Sequence, residues 1–335
     1  MAGRRTNLAL LALLAAAFLT GLLAYGIGTG WNRWPVVLHG ALGLAILLLA
    51  PWKSVIARRG LRRRRPGSWA SLALSLLVAA AVTFGILHST GLVVSLGPVT
   101  AMQLHVGAAI AAIPLAVWHV LARRVRPRRT DLSRRNLLRA GAVLGGAGVA
   151  YVAVEGVIRV ASLPGADRRF TGSFERGSFA PEAMPVTQWF NDPVPAVDGT
   201  GWRLMVAADG VERSLGYEEI GGFHDRVRAT LDCTGGWYAE QDWEGVWLSR
   251  IVPDPGEHRS LVVRSVTGYP RRFPVRDLTR LLLATRVAGE PLSAGHGFPA
   301  RIVAPGRRGF WWVKWVDRIE LGDAPWWWQW PFPAS

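Results

Sequence analysis

The sequence predicts a bundle of about five transmembrane α-helices followed by a mixed α+β, mainly β, domain outside the membrane. Three observations predict it. Apolar runs at about 7–27, 35–51, 68–89, 101–121 and 137–158 are each near the roughly 20 residues that cross a bilayer as a helix. Charge divides sharply: residues 1–150 hold 18 Lys/Arg and a single acid, Asp131, whereas 151–335 hold 21 Lys/Arg and 22 acids. After residue 160 short β-rich pieces alternate with Gly/Pro turns. The expected domains are therefore 1–160 and 161–335.

The second apolar run is the shortest and borrows from its flanks to span. The first is too long for a removable signal peptide and lacks a small-residue cleavage site. Between the runs the loops alternate in charge. The 52–67 stretch has seven basic residues and the 122–139 stretch eight, whereas 28–34 has only Arg33 and 90–100 has none. The positive-inside rule puts the N-terminus and both basic stretches in the cytoplasm. Five spans then place everything after residue 160 on the extracytoplasmic side of the cell membrane. Trp31, Trp34, Trp52, Trp69 and Trp118 lie near span ends, as an aromatic belt does. A net charge of +16 would suit nucleic acid, but basic residues confined to short loops between apolar runs exclude a nucleic-acid face.

Two features of this half carry chemistry. "SRRNLLRAGAVLGGAG", from Ser133, resembles a twin-arginine export signal, with Arg134 and Arg135 as the pair. Ordinary cytoplasmic flank is the plain alternative. That route exports folded proteins, so it suits a domain loaded with a cofactor before export. Four histidines also lie in the spans: His39, His88, His105 and His119. Ionisable groups at membrane depth are as a rule functional. With this orientation His39 and His105 each lie roughly 6–8 Å inside the outer boundary, at about 1.5 Å per residue. Two imidazoles at equal depth on facing helices can ligate one haem iron axially, so a b-type haem between them is expected. His88, also near the outer end, could replace either. His119 stands 14 residues after His105, but the position 14 after His39 is Lys53, so a second haem pair is incomplete. Hydrogen bonding between helices is the alternative role.

In the second half, "WRLMVAA", "RVRATLDC", "HRSLVVRSV" and "FPARIVA" read as strands, and "VRDLTRLLLATR" is the clearest helical piece. No Gly-rich phosphate loop, His-Glu-x-x-His or Gly-x-Ser-x-Gly appears, which leaves P-loop, zincin and serine-hydrolase readings without support. The chain has one cysteine, Cys233. It can be a small apolar core residue, a nucleophile needing a base such as His224, His258 or His296, or a thiolate on a soft metal.

Two segments carry a resemblance that bears on this choice. "LDCTGGWYAEQDWEGVWLSRIV" resembles the cysteine segment of the sulfite oxidase family of molybdenum enzymes. "GEPLSAGHGFPARIVAPGRRGFWWVKWVDRIEL", residues 289–321, shows in the family's order its Gly-Glu-Pro-Leu, His-Gly-x-Pro-x-Arg, Pro-Gly and Lys-Trp elements. The resemblance implies a sulfite oxidase-type molybdopterin domain in which Cys233 is the protein's one ligand to molybdenum. It implies that His296, Arg301 and Lys314 hold the pterin and its phosphate, for which cationic donors are apt. In "SVTGYPRRFPVRDL" Tyr269 matches a tyrosine that places its hydroxyl over the metal; a plain core tyrosine is the alternative. "MPVTQWFNDPVPAVDGTGWRLMVAADG" resembles the family's entry strand, with Asn191 at the substrate face. Here the chain departs from the pattern, because sulfite oxidases carry a substrate-binding arginine nearby and this chain has Gln188, Trp189 and Phe190.

The resemblance covers roughly 183–322 and is nearer the short bacterial branch, which includes an exported methionine-sulfoxide reductase served by a haem-bearing membrane subunit. It implies an oxidoreductase using molybdenum–molybdopterin, joined here to a cytochrome b-like membrane domain with haem b. The expected partners are a small-molecule or protein-sulfoxide substrate, the lipid bilayer, and a quinone pool or redox partner. A sulfite-type oxidase, or a cofactor-free binding module that keeps only the fold, are the alternatives.

Overall fold

The computed structural model describes residues 2–62, 67–126, 128–188 and 193–330. The chain divides into two compact units, one of Met1–Tyr25 with Gly30–Phe174, the other of Gly26–Thr29 with Glu175–Ser335.

The first unit is helical: α1 (Ala2–Gly26), α2 (Arg33–Arg62), α3 (Ser68–Thr90), α4 (Ala101–Ala122) and α5 (Arg134–Val160). All five are long and apolar enough to cross a membrane. Their surfaces fit that solvent, since large apolar side chains such as Leu19, Leu76 and Val152 point outward rather than into a core. A hairpin of β1 (Ser95–Leu96) and β2 (Val99–Thr100) turns the chain between α3 and α4. Thr100 then caps α4: its hydroxyl accepts from the Gln103 amide while the Gln103 side chain accepts from the Thr100 amide. The basic stretch after residue 51 was expected to be a loop, but α2 runs on through Pro51 to Arg62. Small residues allow close packing here. A Cβ on Gly40 of α2 would meet the Tyr151 ring of α5 at 2.6 Å.

The second unit is built on two sheets. Its strands are β3 (Phe174–Glu175, at the junction of the units), β4 (Arg203–Ala208), β5 (Val211–Gly216), β6 (Asp225–Cys233), β7 (Trp237–Trp247), β8 (Ser260–Ser265), β9 (Pro270–Pro274), β10 (Leu282–Val287), β11 (Glu290–Pro291), β12 (Arg301–Val303) and β13 (Val316–Gly322). Helix is confined to short pieces, among them α6 (Tyr217–Gly221) and α7 (Leu248–Ile251). One sheet centres on β7, which pairs with β6 and β10, while β10 also pairs with β11 and β12. The other runs β5-β4-β13-β8-β9, with β13 parallel to β4 and antiparallel to β8. The core lies on their inner faces, around Trp243, Leu261, Phe273, Leu283 and Ile302.

The expected helix at "VRDLTRLLLATR" is not formed. Val275–Asp277 is a single 3-10 turn, and Leu282 onward is β10. A short apolar run fits a buried helix or a strand buried on both faces equally well by periodicity. Here ladder partners on both sides decide for the strand: Ala284 faces Gly245 of β7 and Arg301 of β12. Gly245, within the Trp-Glu-Gly-Val motif, has a packing reason. A Cβ there would lie 2.0 Å from the Leu283 carbonyl oxygen, so only glycine lets β7 and β10 approach.

Candidate functional site

Cys233 ends β6, and its position is set by a second segment of chain. Arg308 and Asp232 form an ion pair, Nη1 to Oδ1 2.7 Å, and Arg308 also donates to the Cys233 carbonyl at 3.3 Å. Gly309 follows so closely that a Cβ on it would lie 3.1 Å from the Cys233 Cα. The thiol itself accepts from the Gly235 amide, N to Sγ 3.3 Å. Burial pushes the Cys233 thiol up; the Gly235 amide and then Arg308 and Lys314 work against that shift.

Beside Cys233 is a cavity of about 110 Å³. The structure brings Cys233, Tyr269, His296, Arg301 and Lys314 together in its wall, with neutral Gln188 among the remaining lining residues. Arg301, at the start of β12, is 1% exposed and donates to the carbonyls of His296 (3.0 Å) and Trp312 (3.4 Å), while its Nε has no partner. Its guanidinium lies over the Trp243 and Trp312 rings, 5.1 and 5.6 Å from their centroids. Lys314 donates to the carbonyls of Thr187 (2.9 Å) and Gly295 (2.6 Å). Among the described residues neither cation is paired with a carboxylate. Burial pulls Arg301 down to about 9, opposed by Cys233. Burial, followed by the charge of Arg301, pulls Lys314 down to about 7.

His296 ends a 3-10 turn capped by Ser293. Its Nε2 donates to the Met184 carbonyl at 3.0 Å, which leaves Nδ1 to accept from the Ser293 hydroxyl at 2.9 Å. Burial holds its pKa below the ordinary value, opposed by the Met184 carbonyl. Both ring nitrogens are thus engaged within the protein. Arg301 is reached through the His296 main-chain carbonyl, not through the imidazole. Tyr269, between β8 and β9, donates its hydroxyl to the Phe310 carbonyl at 2.6 Å. Asn191 lies outside the described residues.

This donor set fits a metal carried on an anionic organic cofactor. One thiolate suits a soft metal, and no group of three or more His, Cys, Asp or Glu able to hold an ion occurs among the described residues. Such a metal must bring its other ligands with it. Buried Arg301 and part-buried Lys314, neither paired with an acid among the described residues, would supply the counter-charge for a phosphate. The Arg308–Asp232 pair is what sequence reasoning missed. The signal was present, since Arg307-Arg308-Gly309 sits inside the Pro-Gly to Lys-Trp run, but nothing in the sequence ties Arg308 to the residue beside the cysteine.

The first unit holds a separate histidine constellation. The His39 and His105 rings, from α2 and α4, stand edge to face with centroids 5.6 Å apart. Each Nδ1 donates to a main-chain carbonyl on another helix, Ala17 of α1 at 2.9 Å and Ala81 of α3 at 2.7 Å. That fixes the tautomer in which Nε2 carries the lone pair, as metal-ligating histidines are normally held. Glycines flank both rings: a Cβ on Gly21 would be 3.1 Å from His39, and one on Gly85 3.0 Å from His105. These two histidines are thus brought together, each with its Nδ1 tied to another helix. The other two histidines have partners of their own. His88 is buried with its Nε2 donating to the Gly172 carbonyl at 2.8 Å and its ring against Phe174. His119 bonds Ser71 through Nδ1 at 3.0 Å, and Lys53 bonds Asn7 at 3.0 Å.

Comparison with known proteins gives the class. Residues 191–330 match the family model described as oxidoreductase molybdopterin binding domain. Residues 191–330 are thus similar to a molybdopterin-binding oxidoreductase domain, and the similar proteins include sulfite oxidases and nitrate reductases, which indicates an oxidoreductase. Mitochondrial sulfite oxidase of Rattus norvegicus is 27% identical over 166 residues, 38% of this chain and 30% of that protein. NADPH nitrate reductase of Mycosarcoma maydis is 49% identical over 81 residues, 22% of this chain and 8% of that protein. The sulfane dehydrogenase SoxCD of Paracoccus pantotrophus, a solved structure, is 25% identical with a TM-score of 0.36, covering 39% of this chain and 40% of that one. The chain thus matches less than a third of the length of the sulfite oxidase it resembles.

Proposed function

We propose that the protein is a multi-pass enzyme of the cytoplasmic membrane whose second unit, on the extracytoplasmic side, reduces sulfoxide-like substrates, small or protein-borne. The observation that carries this is the cavity wall: one thiol, Cys233, beside the buried Arg301 and the part-buried Lys314, neither paired with a carboxylate among the described residues. When bound, molybdenum–molybdopterin supplies two-electron oxygen-atom transfer. Cys233 holds the metal. Arg301 and Lys314 neutralise the cofactor's phosphate, and His296 fixes Arg301 through its carbonyl. Tyr269 and neutral Gln188 face the substrate; Asn191 is assigned to that face from sequence alone.

The absence of an arginine at 188–191 favours an uncharged substrate over sulfite. A sulfite-type oxidase is the second reading, supported by the relatives' activity. A b-type haem would be held by His39 and His105 and would supply one-electron transfer, with a quinone pool or a redox partner as the electron source. The twin-arginine-like run at Arg134–Arg135 suits export of the loaded domain.

The test is the molybdenum and iron content of the detergent-purified chain, with its visible spectrum, for wild type, Cys233→Ser and His105→Ala. About one molybdenum per chain is expected, lost in Cys233→Ser with the haem spectrum retained; His105→Ala loses the haem and keeps the molybdenum. Molybdenum retained in Cys233→Ser refutes the ligand assignment. Neither metal in the wild type, from cells that make molybdopterin, reduces the protein to a binding module with the family's fold.

A further inference from the structure

The last described stretch, Pro325–Trp330, is held as a built loop. Gln329 locks it to the edge strand β9. Its Nε2 donates to the carbonyls of Arg272 (2.8 Å) and Trp326 (2.6 Å), and its Oε1 accepts from the Arg272 amide (3.0 Å). The buried Arg271 side chain adds a bond to the Trp330 carbonyl at 3.1 Å. A turn closed by the Trp328 amide on the Pro325 carbonyl (2.9 Å) sets the curvature. Trp326 faces inward, 6.3 Å from the Trp311 ring. The other three indoles are left out of the core: Trp327, Trp328 and Trp330 are 60%, 70% and 75% exposed.

A loop fixed by these hydrogen bonds that presents three indoles to solvent is an anchor awaiting a surface. We propose that Trp327, Trp328 and Trp330 insert into the interfacial layer of a lipid bilayer. The chain itself points to that occupant, because it carries five helices long and apolar enough to span a membrane. Indole, with an apolar body and one N–H, partitions to the headgroup level of bilayers. The side chain of Arg280 is exposed six residues beyond β9, and Arg276, also exposed, lies between them, so the strand that holds the loop leads into cationic groups suited to anionic headgroups. The inference rests on the membrane reading of the first unit and is independent of molybdenum or haem.

The experiment reconstitutes the full chain into vesicles of phosphatidylcholine and phosphatidylglycerol, with and without lipid brominated near the headgroup end of its acyl chains. The difference in emission between wild type and the Trp327→Ser/Trp328→Ser/Trp330→Ser variant isolates these three indoles among 17 tryptophans. Brominated lipid should cut that difference about twofold or more, with little quenching by aqueous iodide. Quenching by iodide but not by bromine places the indoles in water and overturns the inference. Protection from both assigns the patch to a protein partner and also overturns it. Where the triple variant does not fold, Trp328→Ser alone gives the same comparison. A chain that remains in the aqueous phase without detergent refutes the membrane reading itself, an outcome distinct from failure of the loop to insert.

Discussion

Replacing Asp232 with Asn leaves the Arg308 guanidinium buried without its counter-charge. The two side chains are 4% and 3% exposed, with Nη1 2.7 Å from Oδ1. Charges about 4 Å apart at an effective dielectric near 20 attract by about 4 kcal/mol. Breaking a buried pair from one side costs about 3–5 kcal/mol. Asn keeps an acceptor oxygen for the hydrogen bond, which sets the expectation at the lower end, ~3 kcal/mol. In a unit of this size 1 kcal/mol moves the midpoint by about 2–4 °C, so the second unit should melt roughly 6–12 °C lower. The assay is thermal unfolding of the full chain in detergent followed by tryptophan emission, since 12 of the 17 tryptophans lie after residue 175. Asp232→Leu with Arg308→Met removes both charges and should melt within about 1 kcal/mol of wild type, because a buried pair repays little of its desolvation. Arg308 also holds the Cys233 carbonyl, so the double variant should stay folded yet lose molybdenum. A single variant melting within about 2 °C of wild type, or a double variant as unstable as the single, refutes the argument.

Three further outcomes follow from particular contacts. Gly245→Ala should cost ~3 kcal/mol or more, because the new methyl meets the Leu283 carbonyl rather than a side chain that can move; a variant with wild-type melting contradicts the β7–β10 approach. In the cofactor-free protein the depressed Lys314 binds fewer protons folded than unfolded between about 7 and the usual lysine value, so stability should rise with pH across that window. At about 1.4 kcal/mol per unit the ceiling is ~5 kcal/mol, and an unchanged slope in Lys314→Met sinks this assignment. His258 is held above its ordinary pKa by Asp323 and then Asp209, at 2.7 and 2.9 Å. Its stabilisation is present below the ordinary histidine value and lost as pH rises through the raised one, so His258→Asn should flatten the melting profile there; a profile unchanged by the substitution removes the cluster from the account.

Much of the site was legible in the sequence because its residues recur in two ordered segments. Cys233, Tyr269, His296, Arg301 and Lys314, spread over about eighty residues, line one cavity as the resemblance implied. The approach of His39 to His105 was also legible, because position along two apolar helices is read by counting residues at a constant rise. What could not be read was which atoms of those residues do the work. The sequence did not show that the His296 imidazole bonds Met184 and Ser293 while its carbonyl holds Arg301. His88 stood as a possible ligand, and the structure shows its Nε2 on the Gly172 carbonyl with Nδ1 left unbonded.

The amino-acid sequence by itself determined the five apolar helices and the sheet character of the second half, while the compact units divide after Phe174 rather than at the expected residue 160. Run length, charge placement and local alternation act over neighbouring residues, and no distant contact is needed to express them. The tertiary structure alone decided the rest. Leu282–Val287 became a strand because β7 and β12 offered it ladders on both sides, overriding a local pattern that suited a helix equally well. Arg308 became the support of Cys233 because β6 and the 305–309 turn, 76 residues apart, close on one another around a glycine. Such pairings depend on where two remote segments meet, which periodicity along one of them does not encode.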